Sequence, residues 1–192
     1  MITVAILGKK TDRRITDYLI RAFDGLCPSL FLTPFGTIRT QDEDSSAQSF
    51  DPLIIFWDSE STDVNFVPDI VILKDSCEHL DVLLKDNTTM IFNSVNASHL
   101  DAVRGTSVNA IACGYTQRDA ITFSSVLPEE PVLALQRSVH ALDGTEVEPF
   151  ELPIEVSAGW ARYPLQSVFA LLILLGTPNR VHYIFDKHTE KQ

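Results

Sequence analysis

The feature that most restricts the fold of this chain is a series of short, continuous apolar runs separated by polar segments. Each run is bounded by polar residues, glycine or proline: ITVAIL (2–7), PLIIFW (52–57), DIVILK (69–74), TMIFN (89–93) and NAIACG (109–114). Continuous apolar strands are typical of parallel sheets whose two faces are both covered. The sequence therefore predicts an α/β fold in which a mostly parallel sheet is flanked by helices.

Helical patterns fill the intervals between these runs. A helix is predicted over 11–23, because Thr11 can cap it and because four apolar side chains share one face, namely Ile15, Tyr18, Leu19 and Ala22. Shorter helices are predicted at about 76–85 and 96–104, the second capped by Asn96 or Ser98. SLFLTPFG (29–36) is predicted to contain another strand, whereas the acidic segment 40–49 has no periodicity and is expected to form a loop.

The pattern changes after residue 118, where strand-like segments follow one another without helices. This order predicts a small antiparallel β extension, in which LDGTEVEP (142–149) supplies a hairpin turn. A last helix is predicted over 164–175, and the tail 182–192 is expected to add an edge strand. We predict one domain over 1–192, composed of a parallel core (1–117), the hairpin region (118–158) and a C-terminal helix with its tail (159–192).

The charge and the apolar content of the chain exclude several classes of protein. The net charge is −11 at pH 7, which disfavours a nucleic-acid or anionic-membrane binder because both need basic surfaces. The longest apolar run, VFALLILL (168–175), falls well short of the ~18 residues of a membrane span, so it predicts a buried helix and no membrane insertion. Three widely spaced cysteines, Cys27, Cys77 and Cys113, predict reduced thiols and a cytoplasmic location.

The residues that follow the first run raise the question of a phosphate-binding loop. A P-loop has the pattern G-x-x-x-x-G-K-[ST] and surrounds phosphates with backbone N–H groups. If Gly8 and Lys9 are the Gly-Lys pair, Lys10 takes the Ser/Thr position, and Thr11 reaches the metal role only after a shift of one residue. A helix start with several Lys and Arg residues favours an anion, but it equally fits a solvated basic surface.

Several stretches along the chain follow a recognisable order: AILGKKTDRRITDYLIRAF, FGTIR, IIFWDSES, PDIVILKDSCEHLD, FNSVNASHLDAV, AIACGYTQRDAITFSSV and LPIEVSAGWARYPLQSVFALLILLG. Together they resemble the central ATP-binding domain of the Mur ligases, enzymes that add amino acids to the peptidoglycan precursor through an acyl phosphate. The resemblance covers nearly the whole chain. It implies a P-loop-like α/β fold, ATP and Mg²⁺ as cofactors, and a bacterial cell-wall setting.

The resemblance also implies where these ligands would bind. Phosphate and nucleotide binding fall on the loop after the first run and on the segment after TMIFN, at Gly8, Lys9, Lys10, Thr11, Asn93 and Asn96. The metal ligands that it implies are oxygen and nitrogen donors at strand ends, a set that Mg²⁺ with phosphate oxygens can use. They are Asp58, Glu60 and His79.

The chain departs from the family's pattern where the chemistry would be done. Lys85 is a poor match to the family's carbamylated lysine, and the family's His-Asn pair falls on Ala161 and Arg162. The amino-terminal and carboxy-terminal domains of the family have no counterpart in this sequence. We therefore predict a non-catalytic or weakly nucleotide-binding relative that acts as a binding or regulatory module, with a protein partner that supplies the missing domains.

Two alternatives stay open. The chain is either an ATP-dependent, amide-forming ligase of the peptidoglycan-precursor type, or a subunit of one, or else a homo-oligomerisation platform that needs no ligand. An exposed apolar patch near the hairpin or near Trp160 would favour the platform. A Cys-His nucleophile at Cys77 and His79 is a weaker hypothesis, because residues so close in sequence rarely face each other productively.

Overall fold

A computed structural model describes residues 1–40, 53–60 and 63–185 of the chain. Within them, ten strands form one mixed sheet in the order β12-β9-β8-β7-β6-β5-β1-β4-β2-β3, and β10 and β11 form a separate two-stranded sheet. The strands are β1 (Ile2–Leu7), β2 (Ser29–Thr33), β3 (Gly36–Thr40), β4 (Ile54–Ser59), β5 (Ile70–Leu73), β6 (Thr89–Asn93), β7 (Asn109–Cys113), β8 (Ile121–Ser125), β9 (Val132–Leu135), β10 (Val139–His140), β11 (Glu146–Val147) and β12 (Phe150–Pro153).

The helices lie on both faces of the large sheet. They are α1 (Arg14–Phe23), α2 (Ala97–Val103) and α3 (Arg162–Leu174), and a 3₁₀ helix (Pro178–Ile184) follows α3. Val4 and Ile6 of β1 pack in the cluster that contains α1 and α3, whereas Ala5 and Leu7 belong to a second cluster on the opposite face. The strands are therefore covered on both faces, as their continuous apolar sequences predict.

The sheet confirms the predicted α/β architecture, because seven neighbouring strands are joined by parallel pairs. In sheet order they are β8, β7, β6, β5, β1, β4 and β2. Antiparallel pairing is confined to the two ends of the sheet. At one end β8, β9 and β12 form the predicted extension, and β10 and β11 form the predicted hairpin beside it. At the other end β2 turns back into β3, a strand that the sequence did not indicate.

The helix α3 is the centre of the larger core. Every residue from Tyr163 to Leu174 is buried, because the sheet covers one side while α1 and the 3₁₀ helix cover the other. The apolar run VFALLILL therefore forms a buried helix, as predicted. No helix in the described part of the chain is both long enough and apolar enough to cross a membrane.

Two predicted elements are wrong. Residues 76–85 form no helix, because Leu80, Val82 and Leu84 are half-buried while the residues between them are exposed. This alternation belongs to an extended chain that lies along the second core cluster. The tail begins as the 3₁₀ helix rather than as an edge strand, since Val181 and Ile184, one turn apart, are both buried. The tail after residue 185 lies outside the described residues, as does nearly all of the predicted 40–49 loop.

The start of α1 also differs from the prediction. The helix begins at Arg14 with Arg13 as its N-cap residue, and no side chain caps it. Thr11 lies earlier, in a turn that the Asp12 N–H closes by donating to the Lys9 carbonyl at 3.0 Å. By contrast, Asn96 caps α2 as predicted, because its side chain accepts a hydrogen bond from the Ser98 N–H.

We expect the variant Phe169→Ala to lose about 3–5 kcal/mol of its free energy of unfolding, because this ring is fully buried and its removal leaves a cavity. Phe169 also packs edge-on against Phe150, with ring centroids 5.7 Å apart. Urea denaturation followed by circular dichroism measures the loss. Leu83→Ala is the control, since Leu83 is 73% exposed and should change little; equal losses in the two variants would contradict the assignment of α3 as the core.

Candidate functional site

The carboxyl ends of β1, β4 and β5 meet at one edge of the sheet, where the chain order switches sides. β4 pairs with one side of β1, and β5, the next parallel strand in sequence, pairs with the other. Leu7 lies opposite both Ser59 and Leu73, so the residues that end or follow these three strands come together. In open α/β sheets ligands bind at such a switch point, which makes this edge the candidate site.

A buried ion pair lies at the centre of this edge. The Lys74 ammonium donates to Oδ1 of Asp58 at 2.5 Å, and both side chains are buried. Oδ2 of Asp58 accepts a hydrogen bond from the Thr16 hydroxyl at 2.5 Å, and the ammonium also reaches the Lys9 carbonyl at 3.3 Å. Both carboxylate oxygens of Asp58 are therefore satisfied by groups of the protein itself.

Gly8 lies where the loop after β1 passes over the stem of Lys74. Its φ of +152° lies in the region that favours glycine, and a Cβ atom there would meet Cβ of Lys74 at 2.7 Å and the Ser76 hydroxyl at 2.9 Å. The glycine is thus explained by the close approach of Lys74. Six residues, 8–13, separate the end of β1 from the start of α1, so Gly8 and Lys9 lie at the strand end rather than at the helix start.

The three cations of this loop and Arg14, the first residue of α1, each have an acidic partner. Lys9 pairs with Glu78 at 3.0 Å and Lys10 with Asp63 at 3.1 Å. The other two pairs join Arg13 to Asp17 and Arg14 to Asp12. The charge that would attract a phosphate is therefore engaged by carboxylates, although these pairs are exposed enough to be weak.

The loop is also held to the segment after β5 by hydrogen bonds. The Lys9 N–H donates to the Ser76 hydroxyl at 3.1 Å, and that hydroxyl donates to Asp12 at 3.3 Å. Two nitrogens of Arg14 donate hydrogen bonds to the same carboxylate, at 3.1 and 3.3 Å. The N-terminus of a helix favours a negative charge, and at α1 the Asp12 carboxylate of the loop supplies it. Thr11 is exposed.

Asn93 and Asn96 connect the segment after β6 to the segment after β5. The Asn93 amide donates to the Asp75 carboxylate at 2.8 Å, and the Asn96 amide donates to the Asp75 carbonyl at 3.0 Å. His99 lies beneath them and is buried. Its Nδ1 accepts from the Asn93 N–H at 3.0 Å, so the neutral ring carries its proton on Nε2 and donates to the Lys74 carbonyl at 2.9 Å.

Two side chains of α3 reach the same edge from below, and sequence reasoning missed both. The Tyr163 hydroxyl donates to the Leu73 carbonyl, and the Gln166 amide donates to the Gly114 carbonyl at 2.8 Å. A buried carbonyl at a strand end or just beyond it needs a partner elsewhere when the sheet does not supply one. The polar residues within the first turns of an otherwise apolar helix were the signal for this role.

Lys74 is the most consequential residue that the sequence reasoning missed. The signal was its place, directly at the end of the apolar run IVIL, while the neighbouring run ends at Asp58. A lysine in that position has to find an anion, because an unpaired buried charge is very costly. The pair follows from the parallel register, which was not part of the sequence argument.

The three predicted metal ligands do not gather into a metal site in the described part of the chain. Asp58 is buried against Lys74, while Glu60 and His79 are exposed. Among residues 1–40, 53–60 and 63–185, no three His, Cys, Asp or Glu side chains lie close enough together to hold a metal ion. Asp58 does not fit the role of a Mg²⁺ ligand as it stands, because Lys74 and Thr16 occupy both of its carboxylate oxygens.

Cys77 is not arranged as a nucleophile with His79. Its thiol donates to the backbone carbonyl of His79 at 3.5 Å, and burial raises the pKa of this thiol. Burial also raises the pKa of the Cys113 thiol well above its usual value. Both thiols are therefore held in the protonated, poorly nucleophilic form.

Known proteins resemble this chain in fold rather than in sequence. No family profile matches the sequence, and no curated protein matches it either. The solved UDP-N-acetylmuramate:L-alanyl-gamma-D-glutamyl-meso-diaminopimelate ligase from Neisseria meningitides superposes on 100% of this chain and 66% of its own, with a TM-score of 0.64 and 13% identity. MurF from Acinetobacter baumannii matches 97% of this chain and 45% of its own, with a TM-score of 0.55 and 10% identity.

A UDP-N-acetylmuramoyl-L-alanyl-D-glutamate--2,6-diaminopimelate ligase gives a similar match, with a TM-score of 0.55, 9% identity, and coverage of 97% of this chain and 45% of its own. This chain therefore spans less than two thirds of each of these ligases. At such identities the similarity establishes the fold and not the chemistry. The chain has a Mur ligase-like fold.

Removing both partners of the buried pair should cost less than the sum of the two single removals. We expect Lys74→Met to cost about 3–5 kcal/mol of the free energy of unfolding, because it leaves the Asp58 carboxylate buried without its cation. In the double variant Lys74→Met with Asp58→Asn, the loss should fall short of the sum of the single losses by about 2–3 kcal/mol. The same cycle at the exposed pair of Lys10 and Asp63 should show a much weaker coupling; equal couplings would refute a special role for Lys74.

His99 should make the protein less stable as the pH falls. Burial lowers the pKa of His99 below its ordinary value of 6.5, although the Lys74 carbonyl and the Asp75 charge act in the opposite direction. The unfolded chain therefore binds the proton first, and the free energy of unfolding falls as the pH drops below about 6.5, by up to about 1.4 kcal/mol per pH unit. The loss levels off below the folded-state pKa.

Urea denaturation of the wild type and of His99→Gln between pH 8 and pH 5 measures this effect. The difference between the two proteins isolates His99 from the carboxylates, which titrate mainly at lower pH. The wild type should lose more stability than the variant over this range. Parallel curves for the two proteins would show that His99 is not held neutral by its buried position.

Proposed function

We propose that this chain is a non-catalytic, at most weakly nucleotide-binding relative of the Mur ligase central domain, and that it acts as a binding or regulatory module. The observation that carries the proposal is the ammonium of Lys74, which lies between the Asp58 carboxylate and the Lys9 carbonyl at the switch point of the sheet. A positive charge of the protein thus takes up Asp58, one of the two carboxylates that the family resemblance assigns to the metal, the other being the exposed Glu60.

The surrounding charges support the same proposal. An acyl-phosphate ligase needs cations clamped on the transferring phosphoryl group. In this chain Lys9 and Lys10 face Glu78 and Asp63, and the carboxylate of Asp12 lies beside the start of α1. An incoming triphosphate would have to displace these carboxylates and would gain no metal bridge in return.

The partner of such a module is a second part of the proposal. The ligases that resemble this chain are longer than the chain, which spans 66% of one and 45% of another. We infer that the module acts by binding a protein partner that carries other ligase domains, or by regulating such a protein. The complex forms in the cytoplasm under this proposal.

The alternative function is an ATP-dependent amide-forming ligase, or a subunit of one. One observation favours it: the ammonium groups of Lys9 and Lys10 lie on the surface and their ion pairs are exposed. Exposed pairs contribute little and are easily exchanged for another anion. Under this alternative, nucleotide binding depends on Mg²⁺ and on Lys9.

We expect no Mg²⁺-dependent binding of ATP by the purified chain. A ligand at ten times its dissociation constant stabilises a protein by about 1.4 kcal/mol, which for a chain of this length raises the melting temperature by roughly 3–6 °C. Thermal melting and titration calorimetry with millimolar ATP, with and without Mg²⁺, should therefore detect even modest affinity. We expect the melting temperature in the presence of ATP to be the same with and without Mg²⁺.

Two variants make this experiment decisive. Lys9→Ala removes the cation at the candidate site, whereas Lys85→Ala removes an exposed lysine that precedes β6 and so lies at the opposite edge of the sheet. Mg²⁺-dependent stabilisation that Lys9→Ala abolishes and Lys85→Ala retains would overturn the proposal in favour of the ligase. Weak binding that does not depend on Mg²⁺ is consistent with the proposal.

A further inference from the structure

A second concave region lies farther along the same sheet, beyond the ends of β8 and β12. It is a groove of about 1320 Å³ between the turn that joins β8 to β9, the segment after β12, and the start of α3. None of its lining residues belongs to the cluster around Lys74 and Asp58. A groove of this size and openness suits a segment of a macromolecule better than a small molecule, which needs an enclosing pocket.

The floor of the groove is apolar and is fixed in position. Trp160 lines the groove; its indole N–H donates to the Pro128 carbonyl at 3.2 Å, and its ring centroid lies 5.3 Å from that of Phe123. Ile154 and Val156 complete the floor, and the exposed Val126 borders it. A tryptophan held in this way presents a flat apolar surface with little loss of freedom on binding, which is typical of an anchor in a protein interface.

The rim of the groove is acidic. Glu129, Glu130 and Glu155 line it, all three are exposed, and within the described residues none of their carboxylates has an ion pair or a hydrogen bond. The rim is nevertheless fixed by the backbone, because the Val156 N–H donates to the Glu129 carbonyl at 3.1 Å. Carboxylates near the loop after β1 are paired, so the unpaired negative charge at the rim is a distinct feature.

The opposite side of the groove carries less charge, and of the other sign. Arg162 lies there with its guanidinium 5.8 Å from the centre of the Tyr115 ring, in a cation–π contact that leaves its positive charge intact, and His182 also lines the groove. The three glutamates therefore outnumber the one permanent cation. An anionic ligand such as a phosphate compound would meet the three glutamates of the rim. The charge pattern therefore selects a cation, and the apolar floor selects a ligand that also carries an apolar group.

We propose that this groove binds a segment of a partner protein that contains Lys or Arg residues around one large apolar side chain. The apolar side chain packs on Trp160, and the cations face Glu129, Glu130 and Glu155. This inference rests on the proposed role of the chain as a binding or regulatory module and names the chemistry of its partner. Charge complementarity of this kind sets specificity and speeds association.

A random peptide library displayed on a surface tests the proposal even though the partner protein is unidentified. The full chain is the bait, and the groove variant Glu129→Gln, Glu130→Gln, Glu155→Gln is a parallel bait. We expect the wild type to enrich peptides with several Lys or Arg residues and one aromatic or leucine residue, and the groove variant to lose this enrichment. Failure of the wild type to enrich such peptides, or equal enrichment by both baits, would overturn the proposal.

The affinity of an enriched peptide can then be measured with Trp160 as the reporter. Trp57→Phe removes the other tryptophan, and the matched control variant is Asp86→Asn, Glu146→Gln, Glu148→Gln, which removes three exposed carboxylates outside the groove. We expect the groove variant to bind roughly tenfold more weakly than the control, with the difference shrinking at high salt. If both variants bound the peptide equally weakly, the loss of affinity would come from the net charge of the chain rather than from the groove, and the proposal would be overturned.

One other outcome identifies a different occupant. If the wild type sediments as a dimer and the groove variant as a monomer, the groove binds a second copy of the chain, and the peptide proposal is overturned. The ATP measurements keep the two proposals distinguishable, because they concern the strand-end site and leave the groove untouched. Absence of both peptide enrichment and ATP binding would therefore remove the groove proposal alone.

Discussion

The buried ion pair of Lys74 and Asp58 is the interaction on which the rest of the strand-end site depends. It joins the ends of β5 and β4, reaches the loop after β1 through the Lys9 carbonyl, and holds α1 through Thr16. Gly8 is needed because the stem of Lys74 fills the space where a Cβ would lie. The pair thus fixes the geometry of four elements, at the cost of removing two charges from water.

The distribution of charge separates two regions of the surface with different capacities for recognition. At the strand ends the cations of the loop are each bound by a carboxylate of the chain, so little charge is left to attract a phosphate. At the groove beside Trp160, three glutamates lack such partners among the described residues. With a net charge of −11, exposed carboxylates can lie anywhere on the surface where they stay hydrated. Their position around an apolar floor is the ground for proposing a cationic partner there.

The sequence was sufficient for the architecture and insufficient for the site. Continuous apolar runs predicted the parallel strands, and the run VFALLILL predicted a buried helix. A segment that is buried on all sides carries apolar residues at nearly every position, which is visible in the sequence. The helix expected at 76–85 failed because a short apolar segment fits two periods equally well. Lys74 was missed because its partner Asp58 is sixteen residues away and only the parallel register brings the two together.

The same ion pair also decides which kind of nucleotide binding the chain can retain. Displacing Glu78 from Lys9 exchanges one exposed carboxylate for another anion, at little cost. Freeing Asp58 for Mg²⁺ requires the Lys74 ammonium to leave a fully buried position and the packed stem beside Gly8 to move with it. Under the proposed function, weak anion binding is compatible with this fold as it stands, whereas metal-bridged phosphoryl transfer through Asp58 would require the core of the site to be rebuilt. That asymmetry, rather than the loss of any single motif residue, is the physical ground for proposing a binding module over a ligase.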